Sequence, residues 1–122
     1  MQKPISRPLH GVADFSYVAV VSTAPETIGF TEVQTATTLC RILSGGALLY
    51  SLFTRYEWGV SRIIPFKAHL MADVVANSFA LSAPWLFNFS RNKKARNTFL
   101  AAGLVGLTIT LLTQPDEMPE DF

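Results

Sequence analysis

Charge is scarce in this chain. Asp, Glu, Lys and Arg make up 16% of its 122 residues, against roughly 25% in an ordinary water-facing domain. The net charge is +1, and no basic groove interleaved with aromatics is present, which excludes a nucleic-acid partner. A single cysteine, Cys40, excludes an internal disulfide and a cysteine metal cluster. In its apolar run it reads as a buried, inert thiol. No HExxH pair, nucleophile elbow or glycine-rich phosphate loop occurs, so no catalytic activity and no cofactor are expected. Ser22-Thr23-Ala24 faintly resembles a signal cleavage site, but the preceding run holds Asp14 and recurs internally, so no cleavable leader is expected.

What the chain has is a duplication. His10-x-x-Ala13-Asp14 returns as His69-x-x-Ala72-Asp73, Ala24-Pro25 as Ala83-Pro84, and Phe30 as Phe89. The offset is constant (69 − 10 = 84 − 25 = 89 − 30 = 59) and needs no gap. Ala36/Ala95, Leu48/Leu107, Leu52/Leu111 and Thr54/Thr113 extend the frame. A fixed period marks a repeated supersecondary unit.

Hydrophobic residues reach 49% and the mean hydropathy is +0.29. Four segments have spanning character: Leu9 to Ile28, Val33 to Phe53, His69 to Phe89 and Asn97 to Thr113. Each has about the length a transmembrane helix needs. The reading is a single all-α integral membrane domain, 1–122, of four transmembrane helices in two tandem parallel hairpins. These are residues 9–54 and 69–113, with a link at 55–68 and a flexible acidic tail at 114–122. The repeats would be related by a pseudo-twofold axis along the membrane normal. Lys3, Arg7, Arg55, Arg62 and Lys67 on one side balance Arg91, Lys93, Lys94 and Arg96 on the other, so orientation is not fixed.

The stretch Leu49-Tyr50-Ser51-Leu52-Phe53-Thr54-Arg55-Tyr56-Glu57-Trp58-Gly59 continues into Arg62-Ile63-Ile64-Pro65 and His69-Leu70-x-x-Asp73. With Ser82-Ala83-Pro84-Trp85-Leu86-Phe87-x-Phe89 it resembles the SPW-repeat integral membrane proteins of bacteria, over about residues 9–113. Ala83 interrupts the Ser-Pro-Trp motif, Glu26 replaces Trp in the first repeat, and Asn88 stands where the family often has Gly. The resemblance implies two membrane hairpins, in the bacterial inner membrane, and no activity.

Several side chains stand out. The i, i+4 spacing puts His10 with Asp14, and His69 with Asp73, on one face of each odd helix. Four such groups converging would make a polar network, a proton or ion path, or a metal site, though no further ligand is visible and no metal is expected. Glu57 and Arg62 are expected to clamp hairpin to hairpin. Arg41 is expected to snorkel, to pair with Asp14 or Glu32, or to meet a partner. Trp58 and Trp85 suit an interface, and Pro25 and Pro84 bend or end their helices. Gly45-Gly46 and Gly103-x-x-Gly106 are expected to let helices two and four pack closely.

The function expected from these features is a structural or accessory subunit that meets the lipid bilayer and associates with itself or a larger membrane complex. A small transporter using the His/Asp groups is the first alternative. A heme- or metal-binding electron-transfer subunit with His10 and His69 as ligands is the second.

Overall fold

Ser6 and Pro8 set where the first helix begins. The Ser6 hydroxyl accepts from the Leu9 N–H at 3.3 Å, and Pro8 stands in the first turn, where a missing N–H costs nothing. A computed structural model describes residues 3–119, in which four α-helices follow one another. They are α1 (Arg7–Ala24), α2 (Gln34–Leu52), α3 (Phe66–Leu86) and α4 (Lys93–Leu111). A π-helical turn, Pro25–Gly29, extends α1. The reading of four α-helices therefore holds.

The membrane reading does not. Among the described residues, no helix is long and apolar enough to cross a membrane. The reason is spacing. Polar groups recur along α1 (His10, Asp14, Ser16), α2 (Gln34, Thr38, Arg41, Ser44) and α3 (Lys67, His69, Asp73, Asn77), while α4 opens on Lys93, Lys94, Arg96 and Asn97. Apolar residues are abundant, but no helix gathers the roughly 20 consecutive ones that a span requires. The transmembrane hairpins and the bacterial inner-membrane placement are corrected accordingly.

The duplication governs how the turns are built. Phe30 N–H bonds to Pro25 O at 2.9 Å, and Phe89 N–H to Pro84 O at 2.8 Å. The residue before each Phe is left-handed, Gly29 (φ 94°) and Asn88 (φ 61°), as a helix C-terminus commonly requires. Pro25 opens the π-helical turn, whereas Pro84 lies inside the last turn of α3, which runs on to Leu86. The apolar core repeats too. Val21/Ala80, Ala24/Ala83, Phe30/Phe89, Ala36/Ala95 and Cys40/Phe99 form five pairs at the offset of 59, and only Leu39 of that buried cluster is unmatched. Gly103 and Gly106 bring α4 close to α3: a Cβ on Gly106 would stand 2.2 Å from Asn77 Oδ1. Gly45 and Gly46 face open space, so they mediate no close packing within the chain.

Each hairpin packs most extensively within itself, α1 on α2 and α3 on α4, with thinner contacts from α1 to α4 and from α2 to α3. Two matched parallel bridges tie the hairpins. Ile64 pairs with Thr54 and Ile5 with Thr113, again 59 apart. The last turn of α2 thus meets the entry to α3, and the last turn of α4 meets the entry to α1.

Arg7 fastens this end of the bundle. Its Nη2 lies 2.8 Å from Glu57 Oε2, and its Nη1 donates to Asp116 O at 2.9 Å. Glu57 was expected to pair with Arg62, but its carboxylate goes to Arg7, while Arg62 Nη2 donates to the Glu57 carbonyl at 3.4 Å. The Arg7 hydrogen bond holds the Glu57 carboxyl below its usual range and raises Arg7 itself. The tail is fastened as far as Met118. Glu117 accepts from the Phe66 and Lys67 N–H groups at 2.8 and 3.1 Å, satisfying the open N-terminus of α3, and Met118 is buried. Residues 120–122 of the expected tail lie outside the described residues.

Candidate functional site: a buried His–Asp quartet beside an apolar cavity

His10 and His69 each occupy the fourth position of an odd helix, and Asp14 and Asp73 follow one turn later. The pairs do not stay within their own helices. His10 Nε2 lies 2.8 Å from Asp73 Oδ2 on α3 and 3.2 Å from Asp14 Oδ1 on its own helix. His69 Nε2 lies 3.0 Å from Asp14 Oδ2 and 3.3 Å from Asp73 Oδ2. The four groups form one quartet across the two repeats. Both imidazoles are buried, and the side chains of Asp14 and Asp73 are only 12% and 7% exposed.

Two threonines orient the imidazoles. Thr54 Oγ1 donates to Tyr50 O at 2.5 Å, so toward His69 Nδ1, 2.7 Å away, it has a lone pair to offer. Thr113 Oγ1 donates to Ile109 O at 2.6 Å and faces His10 Nδ1 at 2.8 Å. Both Nδ1 atoms therefore carry hydrogen, and both Nε2 atoms point at carboxylates. Tyr50 donates to Asp73 Oδ1, and Tyr56 donates to Asp14 Oδ2 at 2.9 Å. Phe66 stacks on His69 and meets His10 edge-on, at centroid distances of 6.0 and 5.6 Å.

The protonation states follow. Burial pulls the His10 imidazole down, but its bonds to Asp14 and Asp73 outweigh that and raise it to about 9. The same opposition raises His69 to about 8. Burial pushes Asp73 up, yet its contacts with His10 and His69 prevail and lower it to about 2. Burial pushes the Tyr50 and Tyr56 phenols far up, so they remain donors. His10 and His69 thus favour the imidazolium form beside the Asp73 carboxylate, the pairing a buried ionic cluster needs. The hydroxyls beside the imidazoles, Thr54 and Thr113, direct their own protons to backbone carbonyls.

A cavity of about 410 Å3 adjoins the quartet, lined chiefly by α1 and α4. Its walls are apolar, including Val20, Val21, Leu43, Ala102, Val105 and Ile109. His10, Asp14, Tyr50, Asp73 and Asn77 also line it. Asn77 is 7% exposed, and its side chain borders the cavity.

The remaining singled-out residues lie apart from the quartet. Arg41 pairs with Glu26 at the surface and donates through Nε to Ser22 O at 3.1 Å, so neither Asp14 nor Glu32 is its partner. Trp58 lies over Gly11 and donates through Nε1 to Pro8 O at 2.9 Å, a packing role within the chain. Trp85 is 56% exposed. Burial pushes the Cys40 thiol up to about 11, in keeping with an inert core cysteine. The threonines that orient the quartet were visible in the sequence only as matches in the repeat frame. Tyr50 and Tyr56 carried no signal of their own, and the cavity carried none.

No family model, no curated protein and no solved structure matches this chain, so the likeness to the SPW-repeat proteins rests on the quoted residues alone.

Proposed function

We propose that this chain is a non-catalytic binding protein. It takes a small, mostly apolar molecule into the cavity between α1 and α4, with a hydrogen-bonding head at Asn77 and Asp14. The observation that carries this reading is Asn77. Asn77 is 7% exposed, and its amide, both donor and acceptor, borders an apolar space of about 410 Å3. That volume lies within the range of small-molecule sites, in which apolar walls and a few convergent polar groups recur. The chemistry of the inner end favours a head that donates to Asp14 and exchanges hydrogen bonds with the Asn77 amide.

Displacement of a bound apolar fluorophore by decylamine, decanol and decanoate tests the reading. The amine and the alcohol should compete and the carboxylate should not, since it would meet Asp14. Val20→Trp at the cavity wall should weaken fluorophore binding tenfold or more, with Asn77→Leu removing the preference among heads. Fluorophore binding that ignores both substitutions would sink the proposal.

A second reading, self-association, is supported by Met71, Val75, Trp85 and Leu86, large apolar side chains exposed along α3. Light scattering after size exclusion checks it: a monomer at every concentration removes it.

A further inference from the structure

We infer that the quartet is a binding site for one divalent transition-metal ion, held by His10 Nε2, His69 Nε2 and a carboxylate oxygen each from Asp14 and Asp73. One such atom from each of the four residues can be chosen so that all lie within 4.8 Å of one another. The shortest contacts among them run from 2.8 to 3.3 Å. Donors around a tetrahedral zinc stand about 3.4 Å apart, given bonds of about 2.0–2.2 Å. An ion therefore fits after the groups separate by a few tenths of an ångström and their Nε2 protons leave. Two imidazoles and two carboxylates suit zinc, cobalt, manganese or ferrous iron, and the lack of thiolate disfavours cuprous copper.

Two independent features point the same way. His69 Nε2 is wholly buried and makes no properly directed hydrogen bond, although carboxylate oxygens lie 3.0 and 3.3 Å away. An N–H aimed between two carboxylates, rather than along a line to either, points at the place a shared ion takes once its proton has left. The surroundings are also those of a metal site. Thr54 and Thr113 hold the distal imidazole N–H groups, and Tyr50 and Tyr56 donate to the carboxylates, which fixes the ligand orientations. The cavity reaches His10, Asp14 and Asp73 and gives an ion a route in. This inference rests on the donor set and is independent of what the cavity holds.

The test uses the full chain, stripped with a chelator and titrated with Co2+ alone. One equivalent per chain should produce the visible absorption of cobalt in a low-coordinate nitrogen and oxygen site, and Zn2+ should abolish it. His69→Gln should eliminate the band while circular dichroism reports intact helices. Should that variant not fold, Thr54→Val keeps all four donors and should weaken Co2+ binding by roughly 10–100-fold. No stoichiometric band in the parent chain would overturn the inference. So would undiminished Co2+ affinity in a folded His69→Gln, or in Thr54→Val where His69→Gln does not fold.

Discussion

At the start of α1 the open backbone groups meet the Ser6 hydroxyl, and an indole donates to the Pro8 carbonyl. At the start of α3 they meet a carboxylate, Glu117. Trp58 and Glu117 occupy equivalent positions (117 − 58 = 59), so one place in the duplicated frame has taken two chemistries. The difference is instructive because the quartet a few ångströms inward has not diverged. His, Asp and Thr are retained in both repeats, since each Asp serves the imidazole of the other repeat and removing one leaves charge unbalanced in both. The ends of the helices lie nearer water, where a hydroxyl, an indole and a carboxylate are all adequate solutions.

This contrast sets an order of effects. The largest is expected at the quartet: Asp73→Ala should cost about 3–5 kcal/mol, because a buried charge loses its partner. Asp14→Ala, at the more exposed carboxylate, should cost less. Urea denaturation of both variants measures the difference, and equal or reversed losses would show that burial does not rank them.

Acid and base should act on the same cluster from opposite sides. The raised His10 and His69 contribute stability fully below about pH 6.5, their ordinary value, and lose it as pH rises through about 8 and then 9. The lowered Asp73 contributes above about 3.8 and loses its share as pH falls through about 2. With a chelator present, the melting temperature should stay level from about pH 4 to 6.5 and decline beyond. A profile that stays flat from about pH 6.5 to 10 would mean that the fold does not raise the imidazoles.

The helix ends come next. Glu117→Ala should cost about 1.5 kcal/mol, as two N–H groups lose a charged acceptor, and Trp58→Phe about 1 kcal/mol for one neutral bond. If the indole matters more, its packing over Gly11 rather than its hydrogen bond is the stronger fastening. Smallest is the left-handed pair. Asn88→Gly should stabilise the chain by about 0.5 kcal/mol and Gly29→Asn should cost a similar amount, since glycine bears positive φ without penalty. Differential scanning calorimetry resolves shifts of this size as a few degrees or less.

The helices and the members of the quartet were legible because the offset of 59 put His and Asp in one frame and the i, i+4 spacing put them on one face. The crossing of the pairs was not legible, because spacing along a helix favours the local partner and says nothing about a neighbour 63 residues away. Composition pointed to a membrane because it counts apolar residues without their positions. The polar side chains that interrupt α1 to α3 form, in part, the interior of the quartet. Glu57 turned to Arg7 rather than Arg62 because the fold brings the start of α1 against the link, a long-range juxtaposition that local sequence does not encode. Glu117 was read with its acidic neighbours as loose tail. Its partners are two N–H groups 50 residues or more away, to which composition gives no clue.

The two parallel bridges have a topological consequence. Thr54 meets Ile64 through the link, and Thr113 meets Ile5 without one, yet the junctions have the same hydrogen-bond pattern: Ile64 N–H to Phe53 O and Ile5 N–H to Leu112 O, then Arg55 N–H to Ile64 O and Gln114 N–H to Ile5 O. The helices close as a ring in which the link is one seam and the chain ends are the other. A circular permutant sealed across residues 5 and 113 and opened within 58–61 would exchange the seams and leave every member of the quartet on its own helix. Two separate hairpins, each carrying one His, one Asp and one Thr, would also contain a complete set when paired.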